Sequence, residues 1–218
     1  MASPAPGARK VGSLRATRKR RVDNDRHEDL VQRLQDLILA EGFAGLTVDI
    51  MAARLQCSKS TLYAVASSKE SLVTKVLKQF FRIAADRVEQ RVHDVSNPAE
   101  RIAVYLGAVG AEMRRMSPGC YTDMVSHDAT RGIYEVNSAA AARRVREFIQ
   151  AGVEAQAFRR VHAQFVGEAV SLLIEGIQHG ELLARTHLSS GDAFTELGDL
   201  VLAALTNTSR ERLSDLTG

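Results

Sequence analysis

Thr47 to Leu72 reads TVDIMAARLQCSKSTLYAVASSKESL, and this stretch decides the fold. Thr47 offers a hydroxyl to cap a short helix over 48–55, and Ser58 offers another to cap a helix of about seven residues. Ser67 followed by Glu70 has capping-box spacing and opens a long helix, with Leu72, Val73, Val76, Leu77, Phe80, Ile83 and Ala84 inward, that runs to about His93. A short helix, a tight turn and a second short helix make helix-turn-helix spacing, in which Ile50, Met51, Ala53 and Leu62 are expected to pack the pair at a steep angle. The outward remainder is Lys59, Ser60, Thr61 and Tyr63. These are small or planar polar groups that approach a groove closely and donate to phosphates or base edges. Lys69 and the free N–H groups opening the next helix add a phosphate clamp.

Outward from this stretch the helical period continues in both directions. Leu30, Val31, Leu34, Leu37 and Ile38 form one stripe ended by Gly42. Asn97, Pro98 and Glu100 supply a cap, a first-turn proline and a capping partner for a helix to about Arg115, and Ser117 with Pro118 repeats the device. Val145, Phe148, Ile149 and Val153 give the stripe of a helix over roughly 131–155, Phe165 to Ile177 another, and SSGD caps a last one through Leu205. LTVDIM alternates weakly and is too short and solitary to need a sheet. The chain is therefore expected to be all-α, with about nine helices. Four prolines, 5% aromatics and no Trp favour packed helices over a sandwich or barrel.

The net charge of +3 hides a division. Residues 1–22 carry Arg9, Lys10, Arg15, Arg18, Lys19, Arg20 and Arg21 with no acid, which leaves −4 for the remainder. Such an arm cannot bury apolar surface, is expected to be disordered alone, and is drawn to polyanions. MASPAPGARK has no apolar signal core and no apolar run reaches membrane-spanning length, so a cytoplasmic protein is expected. Cys57 and Cys120 lie far apart without metal or redox spacing, which fits reduced thiols. Asp123 and His127 stand at i and i+4, but no third ligand converges on them, so no metal and no cofactor is expected. Phosphate loops, a nucleophile elbow and a Cys/His constellation are missing, which argues against an enzyme and leaves no catalytic residue to assign.

Gly42-Phe43, Thr47-Val48, Ala52, Ser58-Lys59, Thr61-Leu62-Tyr63 and Ser68-Lys69-Glu70 with Leu72 together resemble the TetR family of transcriptional repressors. The match covers about 26–81 and departs at three places: Gln56 stands where the family turn has Gly, Cys57 where an apolar residue follows it, and Ala66 where an aromatic is usual. A non-glycine in that turn implies a less relaxed backbone. The resemblance implies a basic arm over 1–25, a helix-turn-helix DNA-binding domain over 26–83, a ligand-binding and dimerisation domain over 84–208, and a flexible tail over 209–218. It implies that Thr47, Ser58, Lys59, Ser60, Thr61, Tyr63 and Lys69 meet DNA, with Arg18, Lys19, Arg20 and Arg21 reaching the backbone or minor groove. One recognition helix reads too few base pairs, so a homodimer on a palindromic double-stranded operator is expected. Its interface is placed on Val166, Val170, Leu173, Ile174, Ile177, Phe194, Leu197, Val201 and Leu205. The family's pocket is placed among Tyr105, Met113, Met116, Cys120, Tyr121, Met124, His127, Tyr134 and Phe148, a Met and aromatic mixture suited to a small apolar ligand that releases the repressor from DNA. The competing readings are a helical carrier or enzyme with a vestigial DNA-binding unit, and a sequence-tolerant nucleoid protein using only its arm.

Overall fold

The computed structural model describes residues 26–159 and 161–206; the arm with Arg18, Lys19, Arg20 and Arg21, and the tail over 209–218, lie outside the described residues. Ten helices and no strand occur among the described residues: α1 (26–41), α2 (Val48–Arg54), α3 (Lys59–Val65), α4 (Lys69–Val92), α5 (Pro98–Met113), α6 (Pro118–Ser126), α7 (Asp128–Glu154), α8 (Ala163–Gln178), α9 (Glu181–Thr186) and α10 (Ser190–Leu205). Hydroxyls or amides cap them as the sequence reading expects: Thr47, Ser58, Asn97, Ser117 and Ser189 each accept a backbone N–H of the first turn. Such a cap contributes about 1 kcal/mol. The box at the head of α4 sits one residue later than expected. Ser68 and Ser71 exchange the bonds, because the Ser71 hydroxyl accepts from Ser68 N at 2.9 Å in place of a glutamate. α9, capped by no side chain, follows Gly180 in the left-handed region and is the helix that periodicity does not find.

One continuous apolar core runs from Leu30 to Leu205. In α1, Leu30, Val31, Leu34, Ile38 and Leu39 are buried, and Arg33 reaches across to donate to the Leu55 carbonyl at 2.8 Å. The α2–α3 pair is packed by Met51, Ala52, Leu55, Leu62 and Val65. Ile50 and Ala53, expected in that seam, face outward instead, because the helix turns Met51 and Ala52 into the core.

α4, about 36 Å long at the helical rise, leads from the α1–α3 unit into the bundle, where it packs on α5 and α7. The most intimate crossing is α5 on α10, and it is made by glycine. A Cβ on Gly110 would lie 2.5 Å from the Gly191 carbonyl oxygen, one on Gly191 2.7 Å from that of Gly110, and one on Gly198 3.1 Å from that of Ala103. Arg114 locks the crossing by donating to Gly191 O at 3.2 Å and Thr195 Oγ1 at 2.9 Å.

This crossing corrects one expectation. Val170, Ile174, Ile177, Phe194, Leu197, Val201 and Leu205 are buried inside a single chain, and Val166 and Leu173 are half-buried against the same core. The seven buried residues hold α8 and α10 to their own bundle, while Val166 and Leu173 keep part of their surface exposed. The apolar side chains that α8 and α10 turn to solvent are Phe165, Leu172 and Leu200.

Candidate nucleic-acid interface

Only Leu62 and Val65 of α3 are buried, so the rest of this seven-residue helix is surface. The turn before it is closed by Gln56 at φ +53°, with Gln56 N donating to Ala53 O at 3.2 Å and Cys57 N to Ala52 O at 3.0 Å. This is a Schellman closure of α2, and it places a non-glycine residue in the left-handed region at the position the sequence marks as strained. The closure aims α3 away from α2 and starts it at Ser58. Ser58 Oγ then gathers the first turn, accepting from Thr61 N at 3.1 Å and lying 2.7 Å from both Ser60 Oγ and Thr61 Oγ1. Lys59 pairs with Asp49 of α2, and both remain mostly exposed, so the pair adds little and can open toward a phosphate. Tyr63 is 49% exposed.

Thr47, Ser58, Lys59, Ser60, Thr61 and Tyr63 are therefore all on the surface. Lys69 differs. It is half-buried, and its Nζ donates to Ala44 O at 3.1 Å, tying the loop after α1 to the head of α4. A residue not singled out in the sequence, Lys75, donates to Val65 O at 3.1 Å and caps the far end of α3. The two lysines brace the loop after α1 and the end of α3 from the α4 side.

The α1–α3 unit is also braced from the bundle. Asp123 Oδ2 in α6 accepts from Phe43 N at 2.6 Å and Ala44 N at 2.7 Å. Ser117 N donates to Leu39 O at 2.8 Å. Gly42, at φ +80°, makes room for this, since a Cβ there would lie 2.6 Å from Asp123 Oδ2. Asp123 thus serves backbone amides. His127, its i+4 neighbour, lies against the Phe43 ring at 5.3 Å with Nδ1 2.7 Å from the Asp123 carbonyl.

Inside the bundle a cavity of about 100 Å³ lies between α4, α5, α7 and α10. Of the expected lining residues, Tyr105, Met113 and Tyr134 line it. Met116, Cys120 and Met124 do not; they are buried core. Tyr121 is held by its hydroxyl donating to Ile177 O at 3.1 Å, His127 is exposed beside α1, and Phe148 lies under the Arg144 guanidinium at 4.4 Å on the wall of an outer cleft. The sequence reading placed Phe80 in the core stripe of α4 and Phe194 on the dimer face; both line the cavity, with Phe81, Glu112, Asn137 and Ser138. Glu112 is buried and accepts from Arg115 at 2.8 Å and Arg87 at 3.4 Å. The Tyr134 hydroxyl is buried without a hydrogen bond, with the Ser190, Tyr121 and Ser138 side chains near it.

Several solved structures share this arrangement. A transcriptional regulator from Saccharomonospora viridis, solved in complex with choline, matches 84% of this chain and 98% of its own at a TM-score of 0.64 and 17% identity. A TetR transcription regulator from Haloarcula marismortui matches 84% and 100% at 0.64 and 16%. A TetR-family regulator from Agrobacterium tumefaciens matches 84% and 98% at 0.62 and 16%. The chain has the TetR-family fold. No protein-family model matches the chain. By sequence it is 30% identical over 98 residues to YdeS of Bacillus subtilis (strain 168), an uncharacterized HTH-type transcriptional regulator; the match covers 43% of this chain and about half, 48%, of that relative. Within the TetR-family fold, α2 and α3 are the helix-turn-helix and the cavity lies in the bundle behind it. No helix among the described residues is long and apolar enough to cross a membrane.

The two thiols sit differently in this fold. Cys120 is fully buried, and burial, then the charge of Asp123, pushes its thiol up to about 12. Folding therefore favours the neutral thiol over its ordinary value of 9.0. The associated stability is complete below about pH 9 and is lost as the pH rises toward 12. Iodoacetamide at pH 8 is expected to label half-buried Cys57 and to spare Cys120 until the chain unfolds. Mass spectrometry checks this, and equal labelling of both in folded protein would contradict it.

Proposed function

We propose that this chain is a dimeric, sequence-reading DNA-binding repressor that a small molecule in the bundle cavity releases from a palindromic operator. The observation that carries the reading is α3: a helix with a closed turn before it and a lysine cap behind it, whose exposed side chains are Lys59, Ser60, Thr61, Ala64 and Tyr63. A helix that packs so little of itself inside has its surface fixed for something outside, and those groups suit phosphate and base edges. Thr47 at the head of α2 belongs to the same surface.

Residues 26–75 hold six acidic and six basic side chains, so this unit has no net charge with which to attract DNA. The arm supplies it. Arg18, Lys19, Arg20 and Arg21 add affinity with little sequence information. Deleting residues 1–22 is expected to weaken binding and to lower the slope of log affinity against log salt by about 0.9 for each lost phosphate contact. An unchanged slope in fluorescence anisotropy would remove the arm from the account.

Two-fold pairing follows from the need to read two half-sites. Phe165 and Leu172, two turns apart on α8, and Leu200 on α10 are large apolar side chains left exposed, and the partner subunit is expected to cover them. Light scattering at micromolar concentration is expected to give twice the 23.8 kDa chain mass; a monomer would sink the dimer.

The cavity, and the choline held by the related Saccharomonospora regulator, support a small-molecule effector. Coupling has a route in α6, whose Asp123 and Ser117 bond to the end of α1 and the loop after it. A ligand weakens DNA binding only by preferring the arrangement in which that bracing is shifted.

A further inference from the structure

We propose that the bundle cavity takes an organic cation, an ammonium group on a compact apolar body. This rests on the reading of the chain as a ligand-responsive regulator and assigns the charge of its effector. Phe80, Phe81, Tyr105, Tyr134 and Phe194 bring five aromatic rings to the lining; the Phe80 ring already carries the Arg115 guanidinium at 5.6 Å, and electron-rich faces of this kind attract cations. The charged residues of the lining are both carboxylates, Glu89 and Glu112, and no lysine or arginine is among them.

Arginines do neutralise these carboxylates, but from outside. Arg87 and Arg115 reach Glu112 at 3.4 and 2.8 Å with side chains 47% and 33% exposed, against 9% for Glu112. Water screens the outer charges more than the inner one, which leaves Glu112 as the least screened charge on the lining. Glu89 differs, being the more exposed partner of its pair at 47% against 37% for Arg144, so solvent weakens its share of the field. Arg144 grips it at 2.9 and 2.8 Å from an outer cleft that Glu89 shares with Asp86 and Asp94. Burial, then the charge of Glu89, pushes the Tyr105 hydroxyl up to about 12. An anionic guest would set its charge against Glu112 with no lining cation to receive it.

The test uses full-length protein and three probes of matched size, butyltrimethylammonium, hexanoate and heptan-1-ol, by calorimetry at one pH and ionic strength. The ammonium is expected to bind at least tenfold more tightly than either other probe. Glu112→Gln is expected to erase most of that preference, and Glu89→Gln to reduce it in part. Hexanoate or heptanol binding as tightly as the ammonium would overturn the assignment, as would no binding by any probe. The comparison in unaltered protein decides the matter even if Glu112→Gln fails to fold. A cation preference in protein that selects no DNA site would leave the assignment standing and overturn the regulator reading instead.

Discussion

Replacing Tyr63 with alanine is expected to weaken operator binding about 100-fold while shifting the melting temperature by no more than about 2 °C. The ring is 49% exposed on a helix whose inward contacts are made by Leu62 and Val65, so its loss removes little packing. A surface substitution of that kind stays within about 0.5 kcal/mol, and about 2–4 °C per kcal/mol applies at this chain length. On DNA, a positioned side chain at a phosphate or base edge contributes about 1–1.5 kcal/mol, and a two-fold complex makes the contact twice, which gives the factor of 100. Leu62→Ala is the contrasting substitution. Its side chain is fully buried, so it is expected to cost about 3 kcal/mol of stability and to lose DNA binding through unfolding. Anisotropy on a selected duplex, with a thermal melt of each variant, separates the two. Tyr63→Ala with full affinity would mean that α3 does not meet DNA.

The second large effect is structural. Gly110→Ala is expected to lower stability by about 2–3 kcal/mol, because the new Cβ would overlap the Gly191 carbonyl oxygen, a backbone atom fixed by α10 and unable to swing aside. Gly107→Ala, one turn earlier on the same helix, meets nothing within 4 Å and is expected to stabilise by up to about 1 kcal/mol through helix propensity alone. Opposite signs from one substitution on one helix are a demanding outcome for a denaturant titration. Equal effects would mean that α5 and α10 do not approach through their glycines.

That crossing also explains where sequence reading stops. Caps are local, so Thr47, Ser58, Asn97, Ser117 and Ser189 could be found one at a time, and the left-handed turn at Gln56 could be anticipated from the residue that stands there. Ser67, Ser68 and Ser71 offer competing hydroxyls within one turn, and local pattern alone favours Ser67, one residue before the cap that forms. What a helix packs against is not local. Phe194, Leu197, Val201 and Leu205 look like a spare apolar face until Gly110 and Gly191 are seen to bring α5 onto them. The cavity was legible in part for the same reason: Tyr105, Met113 and Tyr134 lie where helix order puts them, whereas Phe80 and Phe81 reach it from α4, which reads as a plain core stripe. Asp123 was noticed for its spacing to His127 and turned out to bind Phe43 and Ala44, some eighty residues away.

The central claim is that α3 reads sequence in a two-fold complex, and selection of binding sites from random duplex DNA by the full-length protein tests it most directly. At moderate salt the account predicts enrichment of an inverted repeat, with half-sites about one helical turn apart or a multiple of it. Retention of DNA without any enriched sequence would contradict it, leaving the affinity to the arginines of the arm and α3 without a reading role.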